Sequence, residues 1–147
     1  MKQISLSFLF GIFLFILQIS CKTTYYSSPD EFDGKQIILT ESGGFSGQTT
    51  KTFILENGQV FIKTNFPESL EESKRLSEKT TEIVFQRMET LQISQVSFMH
   101  PGNLTYSLML KSKDQKYEIK WGDPGFTVPE EVSECYRFFH DQINLNN

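Results

Sequence analysis

Asn57-Gly58 lies between two runs rich in β-branched and aromatic residues, 49–56 and 59–64, and no other short signal restricts the fold of this chain as tightly. The central positions of a two-residue hairpin turn need positive φ, which asparagine and glycine tolerate, so the two runs are expected to pair antiparallel. A third such run, Ile37-Ile38-Leu39-Thr40, precedes them across Gly43-Gly44-Phe45-Ser46-Gly47. Later, Leu104, Tyr106, Leu108 and Leu110 alternate with Thr105, Ser107 and Met109, and Tyr117, Ile119 and Trp121 alternate with Glu118 and Lys120. Period-two alternation is the mark of half-buried strands, and Lys113-Asp114 supplies the turn between this second pair.

Two segments read as helices. Over 78–91, Ile83, Val84, Met88 and Leu91 recur at three- and four-residue steps, with Ser77 placed as an N-cap. Near the end, Pro129 suits a first helical position and Glu130-Glu131 suit the positive end of a helix dipole. Val132, Cys135, Tyr136, Phe139 and Ile143 then make one apolar stripe. The order β-β-β-α-β-β-α predicts an α+β domain over 35–147, with an antiparallel sheet of about five strands and both helices on one face. Residues 67–76 are charged, and read either as a prolongation of the first helix or as an exposed excursion.

The first twenty residues stand apart. A hydrophobic run over 4–19 follows Met1-Lys2, is preceded by no acid, and closes on Ser20-Cys21 before polar Lys22-Thr23-Thr24. A membrane-spanning helix needs about 20 apolar residues, so this shorter run fits a signal segment better. Leu17-Gln18-Ile19-Ser20-Cys21 resembles the lipobox of bacterial lipoprotein signals, although Gln18 stands where that pattern prefers an aliphatic residue, which bears on how efficiently it is processed. The resemblance implies a signal peptide over 1–20 and lipidation of Cys21. It also implies a protein held to a membrane of the cell envelope, extracytoplasmic, by palmitate-like chains. Residues 21–34, rich in Ser, Thr, Tyr, Pro and Asp without periodicity, then read as a flexible tether.

Charge and cysteines narrow the partners. All 18 acidic residues lie after Cys21 and Lys2 alone of the 14 basic ones lies before it, giving the remainder a formal charge of 13 − 18 = −5. With no basic stripe, nucleic acid and anionic lipid surfaces are poor partners for that balance. A monomer with a possible protein partner is expected. With Cys21 acylated, Cys135 has nothing to pair with, and its place on the helical stripe points to packing rather than nucleophilic chemistry.

The residues offer little catalysis. The two histidines, His100 in a His-Pro-Gly turn and His140 on the last helix, have no supporting ligand spacing, so neither a metal nor a cofactor is expected. His100, Asp123 and a serine make a triad on paper, but no nucleophile elbow accompanies them, so the chain is read as not an enzyme. Two loops stand as candidate recognition elements. One is Gly43, Gly44, Phe45 and Gly47; the other, after Trp121, carries Asp123 and Phe126. A lone aromatic between glycines or prolines is either presented as an anchor or folded back onto the sheet, and folding back is the expectation for both Phe45 and Phe126.

Ile38-Leu39-Thr40-Glu41-Ser42-Gly43-Gly44-Phe45-Ser46-Gly47, with a following strand, middle helix, late hairpin and Pro-led terminal helix, is similar to emfourin-like domains over most of 35–145. The resemblance is specific at Ser-Gly-Gly-Phe-x-Gly and implies inhibition of thermolysin-type metalloproteases. The expectations therefore stand in order. First comes a lipid-anchored, non-enzymatic envelope binding domain, then an emfourin-like inhibitor, and last a small envelope hydrolase using His100 and Asp123.

Overall fold

Gly58 adopts φ 88°, and its N–H donates to Leu55 O at 2.8 Å while Leu55 N–H donates to Gln59 O at 2.9 Å. The connection is thus a three-residue loop with a left-handed glycine in third place, rather than the two-residue turn that the Asn-Gly pair suggested. Asn57 keeps negative φ and instead accepts from Gln59 N–H through Oδ1 at 3.0 Å. The strands joined there pair antiparallel as expected. A side chain at Gly58 would also run into Leu76 O and Thr81 Oγ1, where the first helix begins.

A computed structural model describes residues 24–144. The fold is α+β. Strands β1 (Gln36–Gly43), β2 (Gln48–Leu55), β3 (Val60–Asn65) and β4 (Glu68–Glu72) precede helix α1 (Glu78–Thr90). Strands β5 (Leu104–Lys111) and β6 (Lys116–Trp121) precede helix α2 (Glu130–Asn144). All six strands form one antiparallel sheet in the order β4-β3-β2-β1-β5-β6. The sixth strand corrects the expectation of about five, since β4 arises within the charged stretch that the sequence left open. Edge strands bury little, so its sequence Glu-Ser-Leu-Glu-Glu lacks an apolar alternation and its glutamates guard the open edge.

Alternation sends Ile37 and Leu39 of β1 to the helix side, directly beside Ile54 of β2 and Leu108 and Leu110 of β5. Val84, Phe85 and Met88 of α1 and Val132, Cys135, Phe139 and Ile143 of α2 close this core. Each fully buried aliphatic or aromatic side chain there stabilises the fold by about 1.5–3 kcal/mol. Ser77 caps α1 as expected, its hydroxyl accepting from Thr80 N–H. Pro129 lies just before α2, and its carbonyl accepts from Val132 and Ser133 N–H at 3.1 Å. Tyr136 of α2 donates to Glu41 Oε1 of β1 at 3.0 Å and meets Trp121 edge-on at 5.1 Å, while Arg87 of α1 lies over the Phe138 ring of α2.

The other face of the sheet has no helix, and there the expected tether takes a different form. From Thr24 onward the segment lies on the domain instead of extending from it. Gln59 is fully buried; its Oε1 accepts from Tyr26 N–H at 3.0 Å and its Nε2 donates to Tyr26 O at 2.9 Å. Gln36, also buried, donates through Nε2 to both Pro29 O and Phe32 O at 2.9 Å. Asn57 Nδ2 reaches Thr24 O, Tyr25 OH bonds Glu72, and the Tyr26 ring meets Phe32 edge-on. The segment is aperiodic and reads as linker in sequence, yet its backbone pairs with two buried amides, with both ends of Gln59 and with Nε2 of Gln36, whose Oε1 has no partner among the described residues.

Two outcomes follow from this packing. Gln59→Ala strands the Tyr26 backbone, so limited proteolysis should cut within 24–34 where the parent resists, and urea unfolding should register a loss of about 1–3 kcal/mol. Burial pushes the Cys135 thiol up to about 11, against a smaller opposing pull from Arg87, whereas an unfolded thiol ionises near 9.0. The folded chain thus keeps a proton that the unfolded chain releases between these values, and stability falls as pH rises from about 9 to about 11. Tyr136, raised by burial first and by Glu41 next, adds a decline of the same sign above its ordinary 10.0. Urea midpoints measured across that window should decline less steeply in Cys135→Ala.

Candidate functional site

The Gly-rich loop between β1 and β2 is shaped by its glycines. Gly43, Gly44 and Gly47 have φ of 104°, 70° and 61°. At Gly43 any Cβ would sit 2.0 Å from Asn103 O, so glycine is demanded by a close approach of backbones as well as by φ. Gly44 N–H then donates to Asn103 O at 2.8 Å, fastening the loop to the start of β5. Phe45 at the apex is fully exposed and does not fold back onto the sheet.

The second loop behaves in the opposite way. Phe126 is half-buried, stacked on the His100 ring with centroids 4.0 Å apart and tilted against Phe98 at 4.9 Å. Asp123 is a turn residue: its Oδ1 accepts from Gly125 N–H at 2.8 Å and its carbonyl from Phe126 N–H at 3.0 Å. Asp123 N–H also donates to His100 O at 3.0 Å, so the two residues are neighbours through backbone atoms. No hydrogen bond joins the His100 ring to the Asp123 carboxylate or to a serine among the described residues, and the ring faces Phe126. The geometry that orients a catalytic histidine is not formed there. Among the described residues no cluster of three His, Cys, Asp or Glu is arranged to hold a metal, and no helix is long and apolar enough to cross a membrane.

The sequence pointed to Phe45 but not to the residues beside it. Phe66 in the β3–β4 turn is 67% exposed and Leu104 at the start of β5 is 54% exposed. Both lie at the same end of the sheet as Phe45. Asn65 Nδ2 donates to Gly47 O at 3.2 Å, Thr49 N–H donates to Asn65 Oδ1 at 2.6 Å, and Gln48 Nε2 reaches Phe66 O. Leu104 lies against Gly44. Three turns are thereby joined at one end, where Phe45, Phe66 and Leu104 stand among Gly, Ser, Asn and Gln residues, Pro67 and the exposed carboxylates of Glu41 and Glu68. The missing signal was pairing: Phe66 and Leu104 are single apolar residues, and register alone brings them into line with Phe45.

The opposite end of β2 carries the start of the docked N-terminal segment and a concavity of about 970 Å³, lined by Glu56, Asn57, Arg75, Glu78, Glu82, Phe85 and Glu89 among others. Arg75 is committed to Asn57 O through Nε and Nη2. Cys21, the expected lipidation site, lies outside the described residues. No protein-family model matches the chain, and no curated protein is significantly similar to it.

Phe45→Ala removes an exposed ring and should leave the urea midpoint within about 0.5 kcal/mol of the parent. Gly43→Ala at the Asn103 contact should cost about 2 kcal/mol or more in the same measurement, through φ and the close approach together. Equal losses in the two variants would mean that the loop is held by the phenylalanine rather than by its backbone.

Proposed function

We propose that this chain is a lipid-anchored, non-enzymatic binding domain of the bacterial cell envelope, attached through Cys21, that meets its partner with the apolar end built from Phe45, Phe66 and Leu104. The observation that carries this reading is the polarity of the domain. Thr24, three residues after Cys21, is bonded at the β2–β3 turn, whereas the apolar end lies at the other extremity of β2. Eight residues of strand separate them by about 25 Å. Three linking residues span at most about 11 Å. A chain held at Cys21 therefore keeps the β2–β3 turn near its membrane and presents Phe45 outward. Exposed aromatic and aliphatic side chains on backbones cross-linked by hydrogen bonds are suited to recognition, because little ordering entropy remains to be lost on contact.

A second reading draws on the protrusion of Phe45. A Gly-flanked, fully exposed ring at a hairpin apex also suits insertion into a cleft, as the emfourin resemblance implies. Incorporation of a clickable palmitate analogue into the parent and none into Cys21→Ser is the expected outcome for the anchor; equal labelling of both defeats it. For the inhibitor reading, a thermolysin-type protease should lose activity in the presence of the parent and keep it with Phe45→Ala.

A further inference from the structure

We propose that the helix-free face of the sheet binds a small phosphate monoester between Lys51 and Lys120, over the hydroxyls of Thr40 and Ser107. Strand register sets these four residues in one row. Lys51 of β2 stands opposite Thr40 of β1, Thr40 opposite Ser107 of β5, and Ser107 opposite Lys120 of β6. Residues two apart along a strand share a face, so Ser42 and Thr105 flank the row on the side of the Gly-rich loop, and Phe53 and Met109 flank it on the other. These side chains line a concavity of about 280 Å³.

Ser107 is the residue that points to a ligand. It is 2% exposed, it lines this concavity, and its hydroxyl has no hydrogen-bond partner among the described residues. Buried hydroxyls are nearly always paired, and an unpaired one disfavours the free fold. A ligand oxygen arriving over the row supplies the missing acceptor. The flanking lysines start three strand spacings apart, about 14 Å, and their flexible stems change rotamer on the ps–ns timescale, so both ammonium groups can close over an anion seated on the hydroxyls between them.

The charges select the ligand. The concavity holds Lys51, Lys116 and Lys120 against one carboxylate, Glu118, which lies 3.2 Å from Lys120 Nζ and 3.7 Å from Lys116 Nζ. Two positive charges are left over there, and Lys51 has no ion-pair partner among the described residues. Asp30 and Glu68 line the adjoining concavity together with Lys51 and Lys63. Counted over both concavities, four lysines still outnumber three carboxylates, and the surplus falls on the Ser107 side. A phosphate monoester carries close to two negative charges and three acceptor oxygens, enough to meet a lysine from either flank and a hydroxyl from beneath. A carboxylate has one charge and two oxygens. The volume of about 280 Å³ lies at the small end of ligand pockets, so the esterified group is small, and Phe53 and Met109 offer it an apolar contact.

The test titrates the full chain, purified as its host processes it, with phenyl phosphate at constant ionic strength while backbone amide resonances are followed. Saturable shifts are expected at Thr40, Ser107 and Lys120. Benzoate, which keeps the ring but carries a single charge, should bind at least about tenfold more weakly. Lys51→Gln/Lys120→Gln, both at the surface, should weaken phenyl phosphate by at least about tenfold. Ser107→Ala should weaken it about threefold or more and yet raise the urea midpoint of the free protein, because no internal bond is lost with the hydroxyl. A lowered midpoint would show that the hydroxyl is bonded within the fold and would overturn the proposal. Absence of saturable shifts, binding undiminished in the double lysine variant, or benzoate binding as tightly as phenyl phosphate overturns it equally. None of these readouts involves Cys21 or Phe45, so the outcome is separate from that of the anchoring and partner readings above.

Discussion

The seam between β1 and its two neighbours is the constraint on which the structure depends. All eight residues of Gln36–Gly43 are paired on both sides, with β2 across a four-residue loop and with β5 some sixty residues later. Without the β1–β5 pairing, the four-strand meander and the C-terminal hairpin would be separate sheets, each too small to bury an apolar face. The seam closes at Gly43, where the backbone of Asn103 approaches so closely that a side chain is excluded. Both helices then cover one side of a continuous surface. The end of that seam is also where three turns meet, so the same backbone contact that completes the sheet assembles the apolar end.

The two faces of the sheet are finished by different physics. On the helix face, hydrophobic burial dominates, and an aromatic group of Tyr106, Trp121 and Tyr136 ties α2 to β5 and β6. On the other face, which buries Ile38, Leu55 and Phe61, polar contacts are added to apolar burial. Gln36 and Gln59 are buried amides bonded to backbone atoms of the 24–34 segment, which itself buries Pro29 and half-buries Tyr26 and Phe32. Hydrogen bonding and burial together hold the segment, and releasing it would leave Gln59 and the Gln36 Nε2 short of partners. This arrangement puts the N-terminal attachment and the exposed loops at opposite ends of β2, which is the basis of the functional proposal.

Local signals in the chain were enough for the α+β class, five of the six strands, both helices, the Ser77 cap and the existence of the glycine loop. Each of these is written in local periodicity, in turn residues or in capping chemistry, all readable within a dozen positions. Those signals did not determine β4, whose edge position removes the need for an apolar pattern, nor the loop type at Gly58, which depends on packing against Leu76 and Thr81. Folding back was the expectation for Phe45 and Phe126 alike, and it holds for Phe126 alone. The tertiary structure decided these differently: His100 and Phe98 offer Phe126 a stacking surface, and nothing comparable stands beside Phe45. Tertiary register alone placed Phe66 and Leu104 next to Phe45, set Lys51 against Lys63, and drew 24–34 onto two glutamines, because each of those contacts joins residues whose local sequence contains no trace of its partner.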